Sequence, residues 1–244
     1  MKLKYLYLAL EDVDYRYYNI HLTSDFDFQV HFLFNYFTRE IAKLKFETKN
    51  FQFITIRGRK EPNLKIKLEE NFKSLEVEIA FDENRYKELY PFENEYPLKG
   101  CLKPILKETE FNNFAFEMLM QGLTKAKEQN ASIPCEFLIN TLLDFKSLGY
   151  KNEWIHKVKT FKDHFIKASL LCKLTCNCFS LELVIDKNKK EVFRKEILKT
   201  LPSALIYKYK FKDIIIENSI LKVTTDDLDN PILFELNLLK LNSN

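Results

Sequence analysis

Leu170-Leu-Cys-Lys-Leu-Thr-Cys-Asn-Cys-Phe-Ser-Leu-Glu-Leu-Val-Ile185 is the stretch whose period decides the fold. Leu170, Cys172, Leu174 and Cys176 fall on one side of a strand, and Phe179, Leu181, Leu183 and Ile185 share a side of the next, with Asn177 as the turn between them. Successive side chains of a strand point to opposite faces, so such alternation describes sheet with one buried face. The same period continues downstream. Tyr207, Tyr209 and Phe211 alternate with Lys208, Lys210 and Lys212, predicting a strand over 205–212. Ile220–Thr225 and Pro231–Leu239 follow, with turn residues at Asp186–Lys190, Asn218–Ser219 and Asp226–Asn230. Residues 155–240 therefore read as an antiparallel meander with one wet face.

Upstream of about residue 155 the period becomes helical. Ala115, Leu119, Leu123 and Ala126 lie on one face of a helix starting near Asn113. A second helix starts near Ser132–Pro134 and ends at Gly149, a natural residue for the position after a helix C-terminus. The short connection around Asn130 suggests an antiparallel pair, expected to pack on the C-terminal sheet. Pro91, Pro97, Gly100 and Pro104 make a breaker-rich boundary. The expected layout is an N-terminal α/β subregion over 1–90, a connecting segment over 91–108, and the helix pair plus antiparallel sheet over 109–244. One continuous domain over 1–244 is the alternative.

Within the N-terminal part, residues 2–10 and 15–23 are expected to form a hairpin about an acidic turn. The segment 24–46 carries two periods. Phe26, Phe28, Val30, Phe32 and Phe34 alternate like a strand, whereas Val30, Leu33, Phe34, Phe37, Ile41 and Leu44 make a helical stripe. Ser24 with Asp27 resembles a capping box, and Arg39–Lys45 holds good helix formers, which favours helix. Strands are expected at 51–57 and 74–81, giving an α+β class overall.

Composition narrows the function. The chain has four glycines in 244 residues against twenty-two phenylalanines and twelve tyrosines. Gly58, Gly100, Gly122 and Gly149 stand too far apart for a GxGxxG turn, a GxxxxGK phosphate loop or a GxSxG nucleophile elbow. The aromatic surplus predicts a large, stiff core. Lys and Arg number 38 against 35 Asp and Glu, and the net charge of +3 exerts no global pull toward nucleic acid or acidic lipid. Five cysteines, an odd number, read as reduced thiols of a cytoplasmic protein. The apolar start Leu3–Leu10 is too short for a signal peptide and runs into Glu11, Asp12 and Asp14. No run of apolar residues is long enough to span a membrane.

Local chemistry offers few motifs. Cys172, Cys176 and Cys178 lie across strand and turn with no second ligand pair, which reads as core packing rather than a metal site. His21, His31, His156 and His164 show no HxxxH or HxE spacing. The acidic runs Glu11–Asp14, Glu69–Glu70, Asp82–Glu83 and Asp226–Asp229 read as solvated turns. No catalytic residue, metal or cofactor is expected. Basic stretches interleaved with aromatics are the remaining candidates: Lys157, Lys159, Lys162 and Lys167 beside Trp154 and Phe161, the cluster Arg57, Arg59 and Lys60, and the lysine face of 205–212. Lys208, Lys210, Lys212, Lys157 and Lys159 are the candidate partner-binding residues. A solvated strand face shows the same alternation, and edge lysines also guard against aggregation.

Gly149-Tyr-Lys-Asn-Glu-Trp-Ile-His-Lys157, the strands after it, and Asp229-Asn230-Pro231 leading into the last strand resemble bacterial immunity proteins of polymorphic and contact-dependent toxin systems. The resemblance covers about the last hundred residues and rests on general pattern. It implies a cytoplasmic binding protein that covers the active site of one toxin domain, with no catalytic residues to carry over. The alternative is a nucleic-acid-binding protein or nuclease using a basic, aromatic sheet face. The glycine-rich C-terminal loop typical of CRISPR RNA-processing endonucleases is absent.

Overall fold

A computed structural model describes residues 1–15, 22–90, 104–129 and 131–239. Helices and strands are mixed, and they fall into two compact units, Met1–Lys151 and Asn152–Asn244. The division lies after the helix pair rather than at the proline-rich stretch, of which residues 91–103 are outside the described residues.

The first unit runs β1 (Tyr5–Leu10), α1 (Asp12–Tyr15), α2 (Leu22–Leu44), β2 (Phe53–Arg59), β3 (Lys67–Glu69), β4 (Ser74–Ala80), α3 (Glu83–Leu89), α4 (Glu108–Glu128) and α5 (Cys135–Ser147). Its sheet has the order β1-β2-β4-β3, with β1, β2 and β4 parallel and β3 antiparallel to β4. The first strand of the expected N-terminal hairpin is β1. β1 pairs in parallel with β2, from Tyr5 opposite Phe53 to Leu10 opposite Gly58. The acidic residues after β1 enter α1, where the Asp14 carboxylate accepts from Arg59 Nε at 3.3 Å and the Lys60 backbone N–H at 3.0 Å. That tether draws the chain across the end of β2. The remainder of the expected hairpin, residues 16–21, lies outside the described residues.

The ambiguous segment is a helix. Leu22, Phe26, Val30, Leu33, Phe37 and Ile41 of α2 are buried in a single stripe, which strand alternation could not achieve. The helix begins two residues before Ser24, so Ser24 is not its cap. Leu6, Leu8, Leu10, Ile54, Ile56, Val77 and Ile79 form the buried face of the sheet. α4 packs on this face against β2 and β4, and α5 packs on α4. The helix pair therefore belongs to the first unit, which corrects its expected place on the C-terminal sheet. Gly122 of α4 comes so near β2 that a Cβ there would sit 2.6 Å from Ile56 carbons. α5 ends as expected: Gly149 has φ +65°, its N–H reaches Lys146 O, and the Tyr150 N–H reaches back to Phe145 O at 3.0 Å.

The second unit runs β5 (Glu153–Phe161), β6 (Ile166–Leu174), β7 (Phe179–Lys187), β8 (Lys190–Thr200), α6 (Ala204–Tyr207), β9 (Ile214–Glu217), β10 (Ile220–Thr224) and β11 (Ile232–Asn237). β5 to β8 form an antiparallel meander and β9 to β11 a three-stranded antiparallel sheet. Cys172 and Leu174 lie opposite Leu181 and Phe179, and all four are buried. The stretch 205–212 is not a strand. α6 is one helical turn, and Tyr207 at its end and Phe211 in the segment after it both stack on Phe179, at 3.9 and 5.5 Å between centroids. Tyr209 is left exposed.

With so little glycine, left-handed backbone falls on other residues. Asn188 and Lys189 between β7 and β8, and Asn218 and Ser219 between β9 and β10, all have φ between 51° and 64°. Two consecutive residues of positive φ make the type I′ turn that matches strand twist, for which Asn-Gly is the usual sequence.

Two substitutions test these contacts by equilibrium denaturation. Gly122→Ala gains about 1 kcal/mol of helix propensity but overpacks a β-branched, fully buried side chain at a cost of about 1–3 kcal/mol, so the variant is expected to lose stability. Lys189→Gly relieves a left-handed side chain, and a gain of about 0.5–1 kcal/mol is expected.

Candidate functional site

One face of the N-terminal sheet is taken up by helices, so alternate residues of its strands face the other way. Tyr5 and Tyr7 of β1, Phe53, Thr55 and Arg57 of β2, and Ser74 and Glu76 of β4 share this second face. All of these but Tyr5 line an open cleft of about 530 Å³, completed by Glu11 after β1, Glu69 of β3 and Phe72 in the β3–β4 turn.

The cleft has an aromatic wall. Tyr5 stacks on Phe53 with centroids 5.5 Å apart, and Tyr7 stacks on Phe34 of α2 at 4.6 Å. His31 adjoins Phe34 at 5.2 Å. Phe72, at the opposite rim, is 73% exposed.

The remaining lining is charged, and its members answer one another. Arg57 donates from Nε and Nη2 to the two Glu76 oxygens at 2.9 and 3.0 Å, with Glu11 3.6 Å from the same Nε. Arg59, one row further, lies between Asp14 and Glu78. Such bidentate pairs are geometrically specific, and the hydrogen bond from Arg57 to Glu76 holds the guanidinium charged despite its partial burial. Thr55 and Ser74 hydroxyls meet at 2.8 Å on the cleft floor. Glu69 is ion-paired with Lys67, whose side chain is 70% exposed.

Two groups on the adjoining face of α2 depart from their ordinary ionisation. Desolvation by its surroundings and repulsion from Asp12 push the Asp27 carboxyl up to about 7, against the opposing pull of Arg57. Asp27 nevertheless keeps solvent contact, so water screens part of this effect. His31 is pushed down to about 4 by desolvation. At neutral pH the imidazole is uncharged, and the Asp27 carboxyl is shifted toward its protonated form.

The sequence-derived lysines lie elsewhere, in the second unit. Lys159 and Lys157 of β5 reach Asp213, at 2.7 and 3.5 Å, and Lys212 reaches Asp226 at 2.6 Å. Lys208 and Lys210 are exposed after α6. The basic cluster at Arg57, Arg59 and Lys60 is in fact interleaved with carboxylates, and Glu11, Asp14 and Glu69 are engaged side chains rather than solvated turn residues. The signal for the cleft was the complementary spacing of Arg57-x-Arg59 and Glu76-x-Glu78 on two strands. Cys172 and Cys176 are buried, and Cys178 is half-buried beside the Thr175 hydroxyl. Among the described residues no three His, Cys, Asp or Glu side chains are grouped so as to hold a metal ion, and no helix is long and apolar enough to cross a membrane.

No protein-family model, curated protein or solved structure was found to match the chain.

The two shifted groups act oppositely on stability. Asp27 favours the fold while protonated, so its contribution is complete below the unfolded value near 4 and is lost as pH rises to about 7. His31 favours the fold while neutral, so its contribution is complete above about 6.5 and is lost as pH falls to about 4. In the native chain the two slopes offset. Urea denaturation of Asp27→Asn between pH 4.5 and 8 should therefore show stability rising with pH more steeply than in the parent. Parallel curves would count against the shifted carboxyl.

Proposed function

We propose that this chain is a cytoplasmic protein-binding module with no turnover of its own, an immunity protein that neutralises one cognate bacterial toxin domain. The observation that supports this reading most is the outer face of the β5–β8 sheet. Ile155 and Val158 of β5 are 59% and 43% exposed on that face. Ile155 lies opposite Leu171 of β6, and Val158 is in register with Ser169 of β6 and Val184 of β7. Beside these exposed residues, across β6 to β8, runs a chain of ion pairs, Lys173–Glu182 at 2.6 Å, Arg194–Glu182 at 2.6 Å and Arg194–Glu191 at 2.8 Å. Exposed apolar side chains beside an ordered charged network match the mixed apolar and polar composition of a protein–protein interface. A stiff sheet loses little conformational freedom on docking.

The nucleic-acid alternative draws less support. Lys157, Lys159 and Lys212, which would neutralise phosphates, are already held by Asp213 and Asp226. The exposed Lys208 and Lys210 remain available to steer a partner.

The test is co-expression with a toxin domain encoded beside this chain in its genome. Rescue of growth and a purified complex are expected, and Ile155→Asp with Val158→Asp should weaken the complex by about ten-fold or more while leaving the melting temperature unchanged. Rescue insensitive to both changes would remove the outer face from the interface. Metal-dependent cleavage of nucleic acid by the purified chain, lost on mutating one acidic cluster, would end the immunity reading.

A further inference from the structure

We infer that the N-terminal cleft is a receptor for an arginine side chain of a partner polypeptide. The inference adds a chemically defined contact to the protein-binding reading and stands without it, because the cleft and the outer face of the C-terminal sheet lie in different units.

Charge complementarity sets the class of occupant. Glu11, Glu69 and Glu76 line the cleft against one guanidinium, so its carboxylates exceed its cations by two. Arg57 is no barrier to a second cation, because Glu76 pairs with it through both oxygens and the Glu11 carboxylate lies 3.6 Å from its Nε. Its pairing with Glu76 takes one acceptor position on each oxygen, and a carboxylate offers about four. An anion would meet Glu11, Glu69 and Glu76, which already engage the nearby cations Arg57 and Lys67.

The aromatic wall then selects among cations. Tyr7 and Phe53 present ring surface inside the cleft, and Phe72 at the rim presents most of its ring to water. Guanidinium planes stack on such faces while their N–H fork engages a carboxylate, a combination that ammonium makes less well. The cleft is open on one side, which admits a side chain carried on a backbone. A large aromatic left exposed at the rim fits that approach, since such residues commonly anchor interfaces.

Lys67 already reveals what Glu69 attracts. It is a flexible, exposed cation lying on that carboxylate from outside the cleft. A pair this exposed contributes about 0–1 kcal/mol, so an incoming guanidinium can displace it at little cost.

The experiment follows amide shifts of the full chain by NMR while N-acetyl-Gly-Arg-Gly-amide is added. Saturable shifts are expected at Glu69–Ser74 and around Tyr7, with a Kd of about 1–10 mM for a single side chain, weakening as salt is raised. The lysine peptide should bind more weakly, and the neutral citrulline peptide should leave the cleft unperturbed. Phe72→Ala and Glu69→Gln, both at the rim, are each expected to weaken binding about two- to five-fold. Lys67→Gln removes the competitor and should strengthen it, an outcome a purely structural role for β3 would not produce. No saturable shift at about 50 mM peptide, equal binding of the citrulline peptide, or indifference to all three variants would overturn the inference. Failure here leaves toxin neutralisation through Ile155 and Val158 untouched, and failure there leaves the peptide titration untouched.

Discussion

Gly122 touches Ile56 because α4 crosses β2 at a separation that the Ile56 side chain fills, leaving no room for a second one. That close approach settles which face of the N-terminal sheet is interior. The leucines, isoleucines and valine of one face go under the helices, and alternation then forces the tyrosines, arginines and glutamates of the same strands to the other. A sheet of parallel strands usually has both faces covered. Here the second face is half-covered at its β1 edge, where Phe34 of α2 reaches round to Tyr7. The cleft is what remains.

The charges of that face behave differently from scattered surface ions. Arg57 and Arg59 each pair with two carboxylates brought from separate elements, one from the segment after β1 and one from β4. Four partly shielded pairs in two adjacent rows are ordered by the sheet register itself, so little side-chain entropy is left to lose. The same rows tie the segment after β1 to the sheet. Removing either arginine would therefore leave carboxylates facing each other across the strands, a penalty larger than the worth of any single pair.

Different parts of the structure were legible to different degrees for physical reasons. The meander could be read from Leu170–Ile185 because alternation within one segment reports burial directly. The helix α2 could be read because six large apolar residues can share one side only at helical spacing. The parallel pairing of β1 with β2 could not, since the partner lies about fifty residues away and leaves no local mark. At Tyr207-Lys-Tyr-Lys-Phe211 the alternation misled. Tyr207 ends a helical turn and Phe211 lies in the segment after it, and both stack on Phe179 without a strand between them. The cleft escaped for a third reason. Acidic runs and basic runs look solvated when read one at a time, and only the sheet register shows that they face each other.

The turns at Asn188-Lys189 and Asn218-Ser219 carry a consequence of another kind. An asparagine followed by glycine cyclises readily, because the unshielded backbone nitrogen after it attacks the side-chain amide and expels ammonia. A lysine or serine in the following position crowds that nitrogen and slows the attack. The hairpins of this chain therefore accept conformational strain that glycine would remove, and in return their asparagines keep their amides longer. What looks like a poor choice of turn residue in free-energy terms is a favourable one in terms of chemical ageing.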